Sequence, residues 1–209
     1  MPYTVPLTDL TIIIMDKLKV KIILGSTRPN RTSEKVAPWV LEQVKKNDAF
    51  DAELLDLREY PMPFYDEATT PSQVKDGAYN NEVVQKWAAK IKEADAFIVI
   101  APEYDHGVPA VLKNSFDHVF TEWNYKPLAF VAYGSAGGAR SVEHLRQTAV
   151  ELHMASVRTA VHIQAPWTMM DEKGAFKPGV LEQFEGAAKM MLEQLLWWGK
   201  ALKTARNSA

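Results

Sequence analysis

Residues 20–33 read VKIILGSTRPNRTS, an apolar run that stops at Gly25 and is followed by two arginines and several hydroxyl side chains. The run predicts a buried strand, and the amphipathic spacing after it predicts a helix. Unpaired N–H groups and the helix dipole favour an anion at such a helix N-terminus, and arginines and hydroxyls add donors. The stretch therefore indicates a phosphate site. The alternative is a polar connecting turn with Thr32 or Ser33 as an ordinary N-cap.

The rest of the chain repeats this alternation of apolar runs and amphipathic stretches. Strands are predicted over 20–24, 51–57, 96–101, 128–133 and 156–163, and helices over 33–46, 80–94, 110–123, 141–153 and 180–203. Five strand–helix units predict one α/β domain with a parallel sheet. The commonest strand order for five such units is 2-1-3-4-5. In that order the polar loops 25–33, 102–109 and 134–140 meet at the carboxyl edge, where open parallel sheets bind ligands.

Composition narrows the class of protein. The chain has 209 residues, a formal charge of -2 and no cysteine. These features indicate no nucleic-acid or anionic-membrane surface, exclude disulfides and thiolate metal sites, and fit a reducing cytoplasm. No histidine–glutamate spacing favours a metal site, and no apolar run reaches the length of a membrane helix. We predict one domain over 19–203, an N-terminal extension over 1–18 outside the fold, and a tail over 204–209.

The loops after the third and fourth predicted strands suit a planar heteroaromatic ring. Tyr104, His106 and Tyr133 offer flat surfaces, and the glycines after Tyr133 allow a ligand to approach the backbone closely. Each of these glycines could instead shape a turn before the next helix.

Three segments resemble the signatures of the NADPH-dependent FMN reductase family, which includes quinone, azo-dye and chromate reductases. They are GSTR (25–28), PEYDHGVPAVLKN (102–114) and YGSAGGAR (133–140), and the resemblance covers about residues 19–200. It implies a flavodoxin-like three-layer sandwich that binds FMN and uses NADPH or NADH as co-substrate. It also implies a small electron acceptor such as a quinone, flavin, azo dye or metal oxyanion, and a homodimer or homotetramer.

The resemblance also implies the cofactor-binding residues. Those for the FMN phosphate are Ser26, Arg28, Arg31, Thr32 and Ser33; those around the isoalloxazine are Pro102, Glu103, Tyr104, Asp105, His106, Tyr133, Gly134, Ser135, Gly137 and Gly138. The family usually has asparagine where this chain has Asp105, and a carboxylate there would disfavour negative charge on the reduced flavin. No side chain is implied as an acid or base, because the chemistry belongs largely to the cofactor.

Several interpretations stay open. Arg140 could contact the phosphate of a nicotinamide dinucleotide or be a surface residue, and Trp123 and Tyr125 could form an oligomer interface or belong to the core. A flavodoxin-type electron carrier, a flavin-binding regulator or an interaction module without FMN are the alternatives to a reductase.

Overall fold

The computed structural model describes residues 17–208, which form one twisted parallel sheet with helices on both faces. The strands are β1 (Leu18–Leu24), β2 (Phe50–Asp56), β3 (Ala96–Pro102), β4 (Pro127–Gly134), β5 (Ala155–Ser156) and β6 (Val161–Gln164). Their order is β2-β1-β3-β4-β5, with β6 also paired to β4, and every pairing is parallel. The predicted order is confirmed. The expected extension falls mainly on residues 1–16, outside the described residues.

Five α-helices within residues 17–208 complete a three-layer sandwich. They are α1 (Thr32–Lys45), α2 (Glu82–Glu93), α3 (Ala110–Asp117), α4 (Ala139–Glu151) and α5 (Glu185–Ser208). Apolar side chains of α2, α3 and α4 form one buried cluster against the sheet, and those of α1 and α5 form a second on its other face. Because β3 and β4 are covered on both faces, their residues up to Pro102 and Tyr133 are buried. Between residues 17 and 208 no helix combines the length and apolarity needed to cross a bilayer.

The predicted fifth strand is two short strands rather than one. The backbone between β5 and β6 hydrogen-bonds with side chains: Thr159 donates its N–H to Gln194 Oε1 at 3.1 Å, and the Arg158 carbonyl accepts from Arg146 at 2.7 Å. These groups are therefore unavailable to a continuous ladder with β4.

The bounds of α3 and α5 also differ from the prediction. Helix α3 ends at Asp117 instead of 123, and Trp123 lies in the core, stacked on Phe116 with ring centroids 4.6 Å apart. The suggestion that Trp123 offers an interface is therefore wrong, whereas Tyr125 is exposed. Helix α5 begins at Glu185 and continues to Ser208 through the expected tail, because Arg206 binds Asp95 and the Tyr125 carbonyl.

Candidate functional site at the carboxyl edge of the sheet

The three polar loops meet at the carboxyl ends of β1, β3 and β4. Gly25 ends β1 and donates its N–H to the Ile100 carbonyl at 2.9 Å. A Cβ at this position would stand 2.8 Å from that carbonyl oxygen and 2.7 Å from Leu112 Cδ2, so a side chain would separate β1 from β3 and α3. Glycine therefore brings the first loop close to the second.

Side-chain contacts then tie the loops together. The Ser26 and Tyr104 hydroxyls lie 2.7 Å apart, and Ser33 donates its N–H to the Tyr133 hydroxyl at 3.0 Å. The predicted neighbourhood of the three loops is thus present in the structure.

The first turn of α1 presents polar groups suited to an anion. Its N-cap is Arg31, whose own side chain makes no capping hydrogen bond, so the alternative in which Thr32 or Ser33 is the N-cap is wrong. Ser33 is completely buried, and its Oγ has no hydrogen-bond partner in the described part of the chain. Burial raises the pKa of the Tyr133 phenol to about 12, so its hydroxyl keeps a proton that it can donate. These residues fit a phosphate group, because a buried unpaired hydroxyl is otherwise costly.

Arg31 has a different partner from the one expected. Its guanidinium is buried, donates to both carboxylate oxygens of Asp56, and donates to the Ser26 carbonyl at 2.6 Å. The hydrogen bond that Arg31 donates to Asp56 raises the pKa of the guanidinium. Burial opposes ionisation of Asp56, but the contact with Arg31 lowers the pKa of that carboxyl overall. Arg31 therefore fastens the first loop to the end of β2, and most of its charge is already neutralised there.

Two residues outside the three motifs support this loop. Arg58, in the 3-10 turn after β2, donates to the carbonyls of Thr27 and Arg28, and Asp56 caps the same turn by accepting the Arg58 N–H at 2.9 Å. Arg28 is exposed, with its guanidinium carbon 5.6 Å from the Tyr104 ring centroid. The sequence pattern carries no signal for Asp56 or Arg58, since they belong to a different strand and its following turn.

The loop after β3 is a tight hairpin-like turn. Tyr104 and Gly107 exchange backbone hydrogen bonds of 3.1 and 2.8 Å, and the two residues between them, Asp105 and His106, have φ of 47° and 65°. Two consecutive left-handed residues define a type I′ turn, in which asparagine and aspartate are both favoured. The departure from asparagine at Asp105 is thus conformationally conservative, and both central residues are exposed.

The loop after β4 is a glycine turn packed against the loop after β3. Gly138 has φ 73°, and a Cβ there would lie 2.8 Å from the Tyr133 nitrogen, so the turn requires glycine. The Gly137 carbonyl lies 2.9 Å from His162 Nδ1, which holds the turn against β6. Ser135 is exposed at its tip.

Glu103 follows β3 directly and forms a buried ion pair. Its carboxylate is almost completely buried and binds Arg140 at the start of α4. The resemblance implies Glu103 as a flavin-binding residue, and the sequence leaves Arg140 open between a nucleotide-phosphate contact and a surface residue. In the structure the two side chains bind each other. Across residues 17–208 there is no grouping of three or more histidine, cysteine, aspartate or glutamate residues that could hold a metal ion.

Comparison with known proteins shows the family of this chain. The profile of the family described as NADPH-dependent FMN reductase matches residues 18–168. The chain belongs to the NADPH-dependent FMN reductase family. An NAD(P)H-dependent FMN reductase of Schizosaccharomyces pombe is 38% identical over 148 residues, covering 71% of this chain and 74% of the relative. An FMN-dependent NADPH-azoreductase of Staphylococcus saprophyticus is 26% identical, covering 86% of this chain and 94% of the relative.

Solved structures show the same fold. The flavoenzyme NAD(P)H:acceptor oxidoreductase FerB from Paracoccus denitrificans aligns with a TM-score of 0.65 and 20% identity, covering 85% of this chain and 97% of that chain. The flavodoxin-like α/β architecture is therefore confirmed. Family membership makes this chain an oxidoreductase that uses FMN and NAD(P)H.

Proposed function

We propose that this chain is a single FMN-binding domain that holds the FMN phosphate at the first turn of α1. The observation that carries the proposal is Ser33, whose completely buried hydroxyl has no partner within residues 17–208. The neutral Tyr133 hydroxyl stands beside it, accepting the Ser33 N–H. Ser26, Thr32 and exposed Arg28 belong to the same turn and helix start. A phosphate here would receive several hydrogen bonds and the favourable end of the helix dipole.

The isoalloxazine ring would then lie between the Tyr104–Gly107 turn and the Gly134–Gly138 turn. Support comes from the hydrogen bonds that fix both turns. The first is closed by two backbone hydrogen bonds, and in the second the Gly137 N–H donates to the Gly134 carbonyl at 3.1 Å while the Gly137 carbonyl lies 2.9 Å from His162 Nδ1. Pro102, which is paired with Tyr133 in the β3–β4 register, joins the two turns at their base. His106 and Ser135 are exposed at the tips of the turns.

Bound FMN would supply the chemistry of hydride acceptance from NAD(P)H and of two-electron transfer to an acceptor, so the protein's own task is to bind, orient and exclude water. Ser33, Tyr133 and the first turn of α1 hold the phosphate, and the two turns orient the ring. We assign no side chain a proton-transfer role.

The acceptor that we propose is a small molecule of the quinone, flavin, azo-dye or metal-oxyanion class, since the exposed tips of the two turns, at His106 and Ser135, would leave the ring open to acceptors of different shapes. We further propose a cytoplasmic protein that forms a homodimer or homotetramer and has no nucleic-acid or membrane partner. The weak net charge supports the last point, and exposed Tyr125 and Phe64 offer aromatic surface to a second copy. Light scattering coupled to size exclusion tests the oligomer.

The decisive experiment compares two buried helical serines. Ser33→Ala removes the unpaired hydroxyl and should weaken FMN binding about tenfold while leaving the apoprotein's unfolding free energy unchanged or slightly higher. Ser115, also completely buried, donates to the Leu112 carbonyl at 2.7 Å, so Ser115→Ala should lower stability by about 1 kcal/mol and leave FMN affinity unchanged.

FMN affinity is read from quenching of flavin fluorescence, and stability from urea unfolding. Anaerobic NADPH should bleach the yellow wild-type protein, and a panel of quinone, azo dye, free FMN and chromate should restore the colour at different rates. Bleaching without reoxidation by any acceptor would favour an electron carrier or regulator. A wild-type protein that does not take up FMN would refute the proposal.

A further inference from the structure

Helix α4 begins without a capping side chain of its own. Its N-cap is Gly138, and no side chain within the described range hydrogen-bonds as a conventional cap. A helix start leaves several N–H groups unpaired, and side-chain acceptors normally satisfy some of them. Here the acceptor comes from another strand: Glu103 Oε2, just after β3, accepts the Arg140 N–H at 3.0 Å.

The same carboxylate also binds the Arg140 side chain. Arg140 Nε donates to Glu103 Oε1 at 2.7 Å, and a terminal nitrogen of the guanidinium contacts the same oxygen. The Glu103 side chain is 4% exposed, whereas that of Arg140 is 40% exposed. Burial opposes ionisation of Glu103, but the hydrogen bonds from Arg140 lower the pKa of its carboxyl overall. Glu103 is therefore a buried anion whose charge is balanced by one arginine and one helix N-terminus.

Glu103 stands between the two turns assigned to the flavin ring. Its N–H donates to the Tyr133 carbonyl at 3.1 Å, and its Cβ is the nearest atom, at 3.3 Å, to a Cβ built on Gly134. The next residue, Tyr104, begins the turn after β3 and reaches Ser26 in the first loop. A shift of the Glu103 carboxylate would therefore move both turns.

The Glu103–Arg140 pair also makes the N-terminus of α4 different from that of α1, which lies at the same edge of the sheet. Ser141, in the first turn of α4, is completely buried and its Oγ lacks a partner among residues 17–208, as does Ser33 in α1. At α4, however, the Glu103 carboxylate already accepts the Arg140 N–H, so it occupies this helix N-terminus. At α1 the nearby carboxylate, Asp56, binds the Arg31 side chain and the Arg58 N–H instead of an N–H of the helix.

We propose that Glu103 and Arg140 are positioning residues for the flavin. The pair fixes the separation of the two ring-binding turns, keeps the buried charge beside the ring balanced, and directs the phosphate to α1 rather than α4. This inference rests on the FMN site proposed above.

The competing role for Arg140 is direct contact with the phosphate of NADPH, and the two roles predict different outcomes. In the positioning role, Arg140→Ala leaves an unbalanced carboxylate beside the ring. FMN should then bind about tenfold more weakly. This is the smaller end of the affinity loss that metal sites show when a residue that orients a metal ligand is removed. The midpoint potential of the bound flavin should become more negative, because added negative charge disfavours reduction.

The conservative variant separates charge from geometry. Glu103→Gln keeps an oxygen that can accept the Arg140 N–H, so FMN affinity should stay within about threefold of the wild type. The potential should shift in the positive direction, opposite to Arg140→Ala, and the double variant should lose the negative shift. Arg146→Ala is the matched control, because Arg146 lies on the same helix but binds exposed Glu143 and the carbonyls of Val157 and Arg158.

The test measures FMN affinity by fluorescence quenching, midpoint potential by equilibration with a redox dye, and KM for NADPH and for NADH. Opposite potential shifts in the two single variants, with an unchanged NADPH-to-NADH preference, support the positioning role. A rise in KM for NADPH alone, with unchanged FMN affinity, would overturn it in favour of phosphate contact. Equal potentials in all variants would also overturn it. Failure of the wild type to bind FMN would instead refute the proposed function.

Discussion

Removing the Asp56 carboxylate should destabilise the turn before α1 even when no cofactor is bound. Arg31 is 4% exposed and directs both terminal nitrogens to Asp56, so Asp56→Ala leaves a buried guanidinium beside the more exposed Glu34, whose carboxylate lies 3.5 Å from Arg31 Nε. Breaking a fully buried ion pair from one side costs about 3–5 kcal/mol. Because the Asp56 side chain is 25% exposed, water can enter and replace part of the interaction. We therefore expect a loss of about 2–3 kcal/mol in unfolding free energy.

Urea unfolding of the apoprotein, followed by circular dichroism, measures this loss. Arg31→Ala and the double variant complete a cycle in which we expect a coupling energy of at least about 1 kcal/mol. Asp117→Ala is the control, because Asp117 pairs with Lys113 on an exposed face of α3 and should change stability by less than about 0.5 kcal/mol. If Asp56→Ala costs no more than Asp117→Ala, Arg31 is not a structural fastener. The original interpretation of Arg31 as a phosphate ligand would then regain its force.

Three further predictions follow from backbone strain and burial. Gly138→Ala should lower the unfolding free energy by about 2–4 kcal/mol, because the new side chain is strained in the left-handed conformation and overpacks against Tyr133. Gly186→Ala should instead stabilise α5, because nothing lies within 4 Å of the new Cβ. Thermal unfolding compares the two variants. Burial lowers the pKa of Lys126 to about 7. Between that value and the Lys126 pKa of about 10.4 in the unfolded chain, the unfolded state binds more protons than the folded state, so stability should rise with pH from about 7.5 to 9. Urea unfolding at each pH measures this slope, which Lys126→Met should reduce. Asp105→Asn should leave stability within about 0.5 kcal/mol, whereas Asp105→Val should lose about 1–2 kcal/mol in the same assay.

The sequence predicted well those parts of the fold that depend on the local pattern of residues. Apolar runs such as 96–101 have no alternative to a doubly covered strand, and the alternation of such runs with amphipathic stretches implies a parallel sheet. Strand 156–163 was wrong as one element because Arg146 of the preceding helix α4 and Gln194 of α5 hydrogen-bond to its backbone groups. Trp123 was ambiguous for a similar reason: an aromatic residue after a helix is compatible with either core or surface, and only its stacking on Phe116 distinguishes them.

Part of the candidate site could likewise be predicted from the sequence, and part could not. The three loops could be placed at one edge from the sequence, because the carboxyl ends of parallel strands must share an edge. The partners of their charged side chains could not be predicted, since an ion pair depends on which residues the packed helices and strands bring within reach. Arg31 and Arg28 lie three residues apart in one loop, yet the first is buried against Asp56 and the second is exposed over Tyr104.

The sequence alone therefore determined the strand–helix alternation, the glycine and hydroxyl content of the three loops and the family they resemble, because these are written in residue type and spacing. The tertiary structure decided which charges remain available to a ligand. It pairs Arg31 with Asp56 and Glu103 with Arg140, and it buries the unpaired hydroxyl of Ser33. Electrostatic partnerships act across space, over separations of 25 and 37 residues in these two pairs, and no local pattern records them.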